Sequence, residues 1–335
     1  MGVWVDVKHN TWWHQAQILL DRLSLMKIAC RIPKRLSSIM AAGFFCLLIF
    51  RPALASAKCP PKGYTEPGLL ALKKSEFLIA DDDRRQALAL ALLPCLASPN
   101  PVFRDGIAFE ALSFWLRKDQ LSFATRQTLL ERLQANIAGS KLDQQGFNAP
   151  FSVLVLSEVA RTDRIKVWMT AEQRNRLVVA TADYLASIRD YRGFDDKQGW
   201  RHAVAHSSDL AMQLALNPAL EKTQLDLLLN SVTQQISPTR HAYIHGESER
   251  LLRPVLYIAK RDLHTEQEWQ AWMDKLVLPA PLAKWEDALS SNAGLAKRHN
   301  LQVFLLLLHA NTIQSDNKSW QTLNHSSHKA LKKLP

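Results

Sequence analysis

Apolar residues recur along the chain at intervals of three and four, in segments that are separated by Pro, Gly and Asn. This spacing is typical of amphipathic helices, and no segment alternates apolar and polar residues for long enough to predict a strand. The pattern predicts helices over residues 66–80, 81–97, 102–118, 121–138, 150–161, 171–190, 199–216, 221–236, 247–261, 265–277, 281–290 and 297–313.

The predicted helices are joined by short links, which favours antiparallel neighbours stacked in pairs. Pairs that recur about every 40 residues are typical of HEAT-like repeats. We therefore expect an all-α fold in which stacked antiparallel helix pairs form a HEAT-like superhelix. A closed α/α ring of helix pairs would give the same pattern. The single helical domain is expected over 58–314, followed by a flexible tail over 315–335.

An apolar run near the N-terminus, from Ile39 to Phe50, is too short to cross a bilayer comfortably. Basic residues precede it and small residues follow it, so 26–57 is predicted to be a Sec-type signal peptide. The protein is then periplasmic or secreted, with no transmembrane span after cleavage. An uncleaved anchor in the inner membrane is the alternative. Residues 1–25 fit poorly before a signal peptide, so they are expected to be a non-native extension, with Met26 as the true start. A genuine cytoplasmic extension is the other interpretation.

Export would also change the charge of the chain. The 42 basic and 31 acidic residues give a formal net charge of +11, and removal of 1–57 lowers it to +6. No basic cluster is interleaved with aromatic residues, as nucleic-acid binding would favour. We therefore expect no nucleic-acid partner.

Only two of the four cysteines, Cys59 and Cys95, remain after signal cleavage. An oxidising compartment permits a disulfide between them. The bond would stabilise the fold by about 3 to 4 kcal/mol in the chain-entropy description. Two unpaired thiols are the alternative.

The segment 190–209 differs from the rest of the chain, because a charged, glycine-containing loop is followed by a helix that starts near Trp200. On that helix His202, His206 and Asp209 occur at i, i+4 and i+7, so they share one stripe of an otherwise apolar surface. A buried imidazole or carboxylate needs a polar partner. The sequence therefore predicts that another polar group faces this stripe.

Two histidines one helical turn apart have the spacing of paired zinc ligands. Asp209 would be a third ligand to a divalent metal such as zinc, or would orient His206. The glutamate that acts as a base in the zinc-protease pattern does not occur between the histidines. A metal site on His202, His206 and Asp209, a metal-free ligand pocket and a structural hydrogen-bond network all remain open.

A second polar cluster, 241–250, precedes an apolar helix and could supply the partners. Arg250 is expected to pair with a carboxylate such as Asp209 or Asp195, and Glu247 or His245 could complete a site with the two histidines. The candidate polar pocket comprises Arg192, Asp195, Trp200, His202, His206, Asp209, Glu247, Glu249 and Arg250.

The residues Arg192-Gly193, Gly199-Trp200, His202-Ala203, Ala205-His206 and Asp209 resemble the motif of a bacterial family of domains of unknown function, number 2785. Weaker similarities occur at Arg104-Asp105 with Glu110-Ala111-Leu112, at 151–156, at 247–251 and at 298–300. The resemblance implies an all-helical domain and no particular activity.

Two functions remain open. The first is a binding or scaffold module of the cell envelope, which contacts an envelope protein or a small-molecule ligand and satisfies its polar stripe internally. The second is a metal-dependent or His/Asp acid–base hydrolase with its site on the helix over 200–213. The hydrolase predicts an open cleft and a carboxylate within about 4 Å of a histidine.

Overall fold

The computed structural model describes residues 59–335, which form thirteen α-helices and one short β-hairpin. The predicted extension over 1–25 and signal peptide over 26–57 lie outside the described residues. The helices are α1 Glu66–Lys74, α2 Asp82–Ala91, α3 Pro101–Phe103, α4 Glu110–Arg117, α5 Phe123–Ala138, α6 Asn148–Ile165, α7 Ala171–Ser187, α8 Ala203–Ala215, α9 Lys222–Ile236, α10 Glu247–Lys260, α11 Glu266–Leu276, α12 Asn292–Thr312 and α13 Lys318–Leu331. Strands β1 Phe194–Asp195 and β2 Gly199–Trp200 form the hairpin.

Side chains with a hydroxyl, carboxylate or amide oxygen begin many of the helices. Such a side chain accepts a hydrogen bond from a backbone N–H that has no partner inside the helix. Thr170 and Thr265 each form a reciprocal capping box with the residue three positions later. The N-cap side chains that accept these bonds at α1, α2, α5 and α13 are Thr65, Asp81, Ser122 and Asn317.

The helices pack in two layers. Helices α4, α6, α8, α10 and α12 lie side by side in one layer, and α5, α7 and α9 lie side by side in the other. Two hydrogen-bonded positions along α7 and α9, Asn175 with Gln224 and Leu185 O with Gln235, advance in the same direction. Helices α7 and α9 are therefore parallel, and α8, which follows α7 in the chain, returns through the other layer.

The apolar core runs between the layers. Its fully buried members include Leu133, Leu156, Leu177, Leu210, Leu228, Val255 and Leu301. The predicted all-α class and its packed helix pairs are confirmed. Within residues 59–335, no helix combines the length and apolar character needed to cross a membrane.

Several predicted helices differ from the structure at their ends. The helix predicted over 102–118 contains a wider π-helical turn at Arg104–Phe109. The helix predicted from 199 begins at Ala203, because the hairpin takes up the preceding residues. The predicted 281–290 segment is reduced to a 3₁₀ turn at Trp285–Ser290.

The C-terminal segment is helical, so the prediction of a flexible tail over 315–335 is corrected. Helix α13 packs against α11 and α12 and buries Leu323 and Ala330. The Asn324 side-chain amide donates to His309 O and to Thr312 Oγ1. The segment has few apolar residues, and its buried face also contains serines, so its sequence resembles a solvated end.

The predicted disulfide between Cys59 and Cys95 is present. Cys95 is fully buried in a 3₁₀ turn, Leu93–Ala97, that follows α2. The bond therefore fixes the first described residue to the helical core.

Candidate functional site

The hairpin that precedes α8 contains the first part of the family-like motif and leads into the buried part. Asp195 Oδ1 accepts hydrogen bonds from the backbone N–H groups of Lys197 and Gln198, which closes the turn. Gly199 has φ +71°, a conformation that a side chain at this position would strain. The hairpin ends at Trp200, directly before the predicted polar stripe.

Two arginines fix this hairpin to the helices. The fully buried Arg104 donates to Ser98 O and to Gln198 O. The Arg104 and Arg201 guanidinium groups each lie 4.2 Å from the centre of the Phe147 ring. Cation–π contacts of this kind are strongest where water is excluded, so the hairpin has a defined position.

His202 joins the hairpin to α8 and adopts a left-handed backbone with φ 58° and ψ 38°. Its carbonyl accepts the backbone N–H of His206, and its own N–H donates to Arg192 O. Its imidazole is 8% exposed and stacks on Trp200 with 4.6 Å between ring centres. A left-handed conformation is uncommon for residues other than glycine, and this one is stabilised from both sides of the chain.

A buried carboxylate from α10 faces two imidazoles. Glu247 Oε1 lies 3.8 Å from His202 Nε2 and 3.7 Å from His245 Nδ1. Both distances exceed hydrogen-bond length, and neither nitrogen has a hydrogen-bond partner among residues 59–335. Glu247 Oε2 accepts the backbone N–H of His245 at 2.9 Å, which fixes the carboxylate beside the rings.

The second histidine of the stripe bonds to the main chain of α6. His206 Nδ1 lies 3.2 Å from Pro150 O, and its ring packs edge-on against Phe151. Burial, with smaller contributions from the His202 and Arg250 charges, holds the pKa of His206 well below its usual value. Burial and the charges of Arg250 and His245 likewise lower the pKa of His202 to about 4. Both imidazoles are therefore neutral at pH 7.

The third member of the stripe pairs with α10. Asp209 accepts a hydrogen bond from Arg250, the pairing that the sequence predicts. Burial raises the pKa of the Asp209 carboxyl, and the Arg250 charge opposes this rise. The pair links α8 to α10, and its carboxylate has little solvent access while the Arg250 side chain is 34% exposed.

Gly193 allows the second imidazole to approach the hairpin. A Cβ atom at this position would overlap ring atoms of His245, including Nδ1. Glycine is therefore the residue that lets the loop before α10 close against the loop before α8.

Above the buried groups lies a surface that we call the aromatic rim, formed by the exposed side chains of Phe194 and Ile244 and the half-buried rings of Trp200 and His245. Phe194 is 47% exposed and Ile244 is 73% exposed. The Trp200 ring lies 5.0 Å from the Phe194 ring and 5.7 Å from the His245 ring. Exposed apolar groups clustered around half-buried polar ones are typical of ligand or partner contacts.

The structure brings six candidate residues of the polar pocket together and separates three. Those together are Trp200, His202, His206, Asp209, Glu247 and Arg250. Arg192 instead pairs with Asp190, and Glu249 pairs with Arg253 at the surface. Asp195 is exposed and caps the hairpin turn, so Arg250 bonds to Asp209 and not to Asp195.

The predicted metal set is not assembled. His206 Nδ1 is directed at Pro150 O, and Asp209 is bonded to Arg250. In the part of the chain that the structure describes, no group of three or more His, Cys, Asp and Glu side chains is arranged to hold a metal ion. The spacing on one helix therefore did not bring these three donors to one point.

Sequence reasoning missed the residues that support the site from outside the stripe. Phe147 and Arg201 were not candidates, and Arg104 was named only as part of a weak family similarity. Arg104 does lie 2.7 Å from Asp105, but it also reaches the hairpin. The Arg104-Asp105 similarity was the one available signal for this role.

A family model described as protein of unknown function (DUF2785) matches residues 133–309, which is more than half of the chain. The chain belongs to this family. The resemblance of the histidine motif is thereby confirmed, and the DUF2785 match extends from α5 to α12. It includes the hairpin, the polar stripe and Glu247, while Arg104 and Asp105 precede it. No curated protein and no solved structure matches the chain.

Proposed function

We propose that this DUF2785 protein is a binding module of the cell envelope, and that the aromatic rim is its contact surface for a small ligand with a flat apolar face. One observation carries the proposal. Phe194 and Ile244 of the rim are exposed, whereas His206 and Asp209 beneath it are buried and hydrogen-bonded to Pro150 O and to Arg250. The rim therefore offers a surface for contact without an open catalytic cleft.

The spacing of contacts within each layer supports a HEAT-like array. Hydrogen bonds between neighbouring helices join Gln127 to Gln173 and Thr233 to Trp272, at separations of 46 and 39 residues. The Asp209–Arg250 pair has a separation of 41. HEAT and armadillo repeats have lengths of about 40 to 47 residues. Among residues 59–335, each helix makes its extensive contacts with adjacent helices of the two layers, which favours an open stack over a closed α/α ring.

The protonation of the stripe also favours binding over acid–base catalysis. A general base works best when its pKa lies near the operating pH. A pKa of about 4 makes His202 a weak base at pH 7, and His206 is buried against a carbonyl. The Asp209–Arg250 pair supports α8 and α10 and offers no free carboxylate.

A hydrolase is the second candidate, and one contact favours it. Glu247 Oε1 lies 3.8 Å from His202 Nε2, within the distance that the hydrolase hypothesis predicts. A small movement would place a carboxylate in hydrogen-bond contact with a neutral imidazole, which is the arrangement that orients a base.

Export to the envelope forms part of the proposal. The signal-peptide pattern over 26–57 supports it, and the Cys59–Cys95 disulfide agrees with an oxidising compartment. The partner is then a small molecule of that compartment or an exposed group of an envelope protein.

Ligand-observed NMR with a library of sugars and aromatic compounds tests the binding function. We expect compounds that bind the wild type to lose affinity in Phe194→Ala and Ile244→Ala. Both side chains are exposed, so the variants should keep the fold. Leu142→Ala is the matched control, because Leu142 is 83% exposed and lies outside the site.

Two results would contradict the proposal. The first is binding that both rim variants retain in full. The second is hydrolysis of a panel of chromogenic esters and glycosides that disappears in Glu247→Gln, which would establish the hydrolase.

A further inference from the structure

Two arginines near the end of α6 are both half-buried and lie next to each other. Arg161 and Arg164 are three residues apart, so they lie on the same face of the helix. Like charges at this spacing repel each other, and partial burial weakens the screening by water. Burial, with a smaller contribution from the Arg161 charge, lowers the pKa of Arg164.

No carboxylate within 4 Å neutralises either arginine among residues 59–335. The two acidic residues of α6 are engaged elsewhere, Glu158 with Arg117 and Asp163 with Arg174. The acidic residues of α8 and α10 are also occupied. Asp209 bonds to Arg250, Glu249 to Arg253, and Glu247 accepts the N–H of His245. The positive charges of Arg161 and Arg164 are therefore not neutralised by a carboxylate of α6, α8 or α10.

The neighbouring helix α8 places a neutral polar group beside Arg164. Arg164 Nε donates to Gln213 Oε1 of α8 at 3.1 Å, which fixes the guanidinium and leaves its terminal nitrogens for another acceptor. Helices α6 and α8 thus both contribute hydrogen-bonding groups at this position.

We propose that Arg161 and Arg164, with Gln213, form a binding site for a phosphate group. Two adjacent guanidinium groups provide several N–H donors in the planar geometry that suits phosphate oxygens, and a doubly charged anion would relieve their mutual repulsion. The phosphate belongs either to a soluble molecule or to a lipid head group. This site lies toward the opposite end of α8 from the aromatic rim, so the two proposals can fail separately.

Thermal unfolding of the full chain with and without inorganic phosphate, at matched ionic strength, tests the site. We expect phosphate to raise the melting temperature of the wild type by at least ~2 °C. In Arg161→Gln/Arg164→Gln this rise should disappear, and phosphate affinity measured by calorimetry should fall at least about tenfold. Arg132→Gln/Arg176→Gln removes the same charge from the exposed surface of α5 and α7 and should keep the rise.

The melting temperatures without phosphate separate a ligand site from a structural role. Because removing one or both like charges relieves repulsion, the variant should melt at the wild-type temperature or higher. A decrease of more than ~3 °C in Arg161→Gln would mean that the arginines support the fold, and would overturn the proposal. An equal phosphate effect in all three proteins, or none in the wild type together with no vesicle binding, would also overturn it.

Flotation with vesicles distinguishes the two sources of phosphate. If the phosphate belongs to a lipid head group, the wild type and the Arg132→Gln/Arg176→Gln control should float with vesicles of phosphatidylglycerol and phosphatidylcholine. Arg161→Gln/Arg164→Gln should not float with them. A phosphate effect without vesicle binding assigns the site to a soluble phosphate compound. Either result supports the proposal, provided that the effect depends on Arg161 and Arg164.

Discussion

The imidazole of His202 is buried in its neutral form between Trp200 and Glu247, and this has a consequence for acid stability. Its pKa is about 4 in the folded protein and about 6.5 in an unfolded chain. The unfolded state therefore binds more protons between these values. The contribution of His202 is complete above about pH 6.5 and is lost as the pH falls toward 4.

We expect His202 to account for about 2 kcal/mol of the stability lost between pH 7 and pH 5. Urea denaturation of the wild type and of His202→Gln at both values measures this. Comparing the stability losses of the two proteins removes the contribution of other titrating groups. One such group is Asp105, because burial raises the pKa of its carboxyl to about 6. Equal pH dependence in both proteins would show that His202 is protonated without cost in the fold.

The contact between Gly193 and His245 gives a second prediction at a single position. Gly193→Ala would place a Cβ where the His245 ring lies, so the imidazole must leave the rim. We expect a loss of about 1 to 3 kcal/mol. Gly139→Ala is the matched control, because its Cβ would make only ordinary contacts. A Gly193→Ala variant with wild-type stability and an unchanged His245 NMR signal would contradict this account.

The Asp209–Arg250 pair connects α8 to α10. We expect it to contribute more to the free energy of unfolding than a surface ion pair does. Arg250→Gln leaves a buried carboxylate without a partner, and we expect a loss of about 3 kcal/mol in chemical denaturation. The double variant Asp209→Asn/Arg250→Gln should lose less, because no unpaired charge remains. Arg253→Gln breaks the exposed pair with Glu249 on the same helix and should cost less than about 1 kcal/mol. Equal losses in Arg250→Gln and Arg253→Gln would contradict a special role for the buried pair.

Periodic helices were predictable because their apolar faces repeat over many residues, and charge complementarity made the Asp209–Arg250 pair foreseeable. The hairpin was not predictable, because strands of two residues are too short to show alternation. The bond of His206 to Pro150 O had no signal either, since every residue carries a backbone carbonyl. The left-handed backbone of His202 depends on contacts to Arg192 that arise only in the fold.

A covalent link between Cys59 and Cys95 also stabilises the whole fold. The disulfide joins positions separated by 36 residues, for which the chain-entropy description gives about 3 to 4 kcal/mol. Cys59→Ser should therefore unfold at a lower urea concentration than the oxidised wild type. Reductant should bring the wild type to the same midpoint and leave the variant unchanged. Coincident midpoints in all conditions would mean that the bond adds no stability.

Each helix packs mainly against its neighbours, and this has one more consequence, which concerns cooperativity. In the HEAT-like stack that we propose, a terminal unit can open while the centre stays closed, because an end unit has a neighbour on one side only. Backbone amides of α12 and α13 should then exchange with deuterium faster than those of α6 and α8. The helices that contain the family motif would then stay folded while the terminal helices unfold locally.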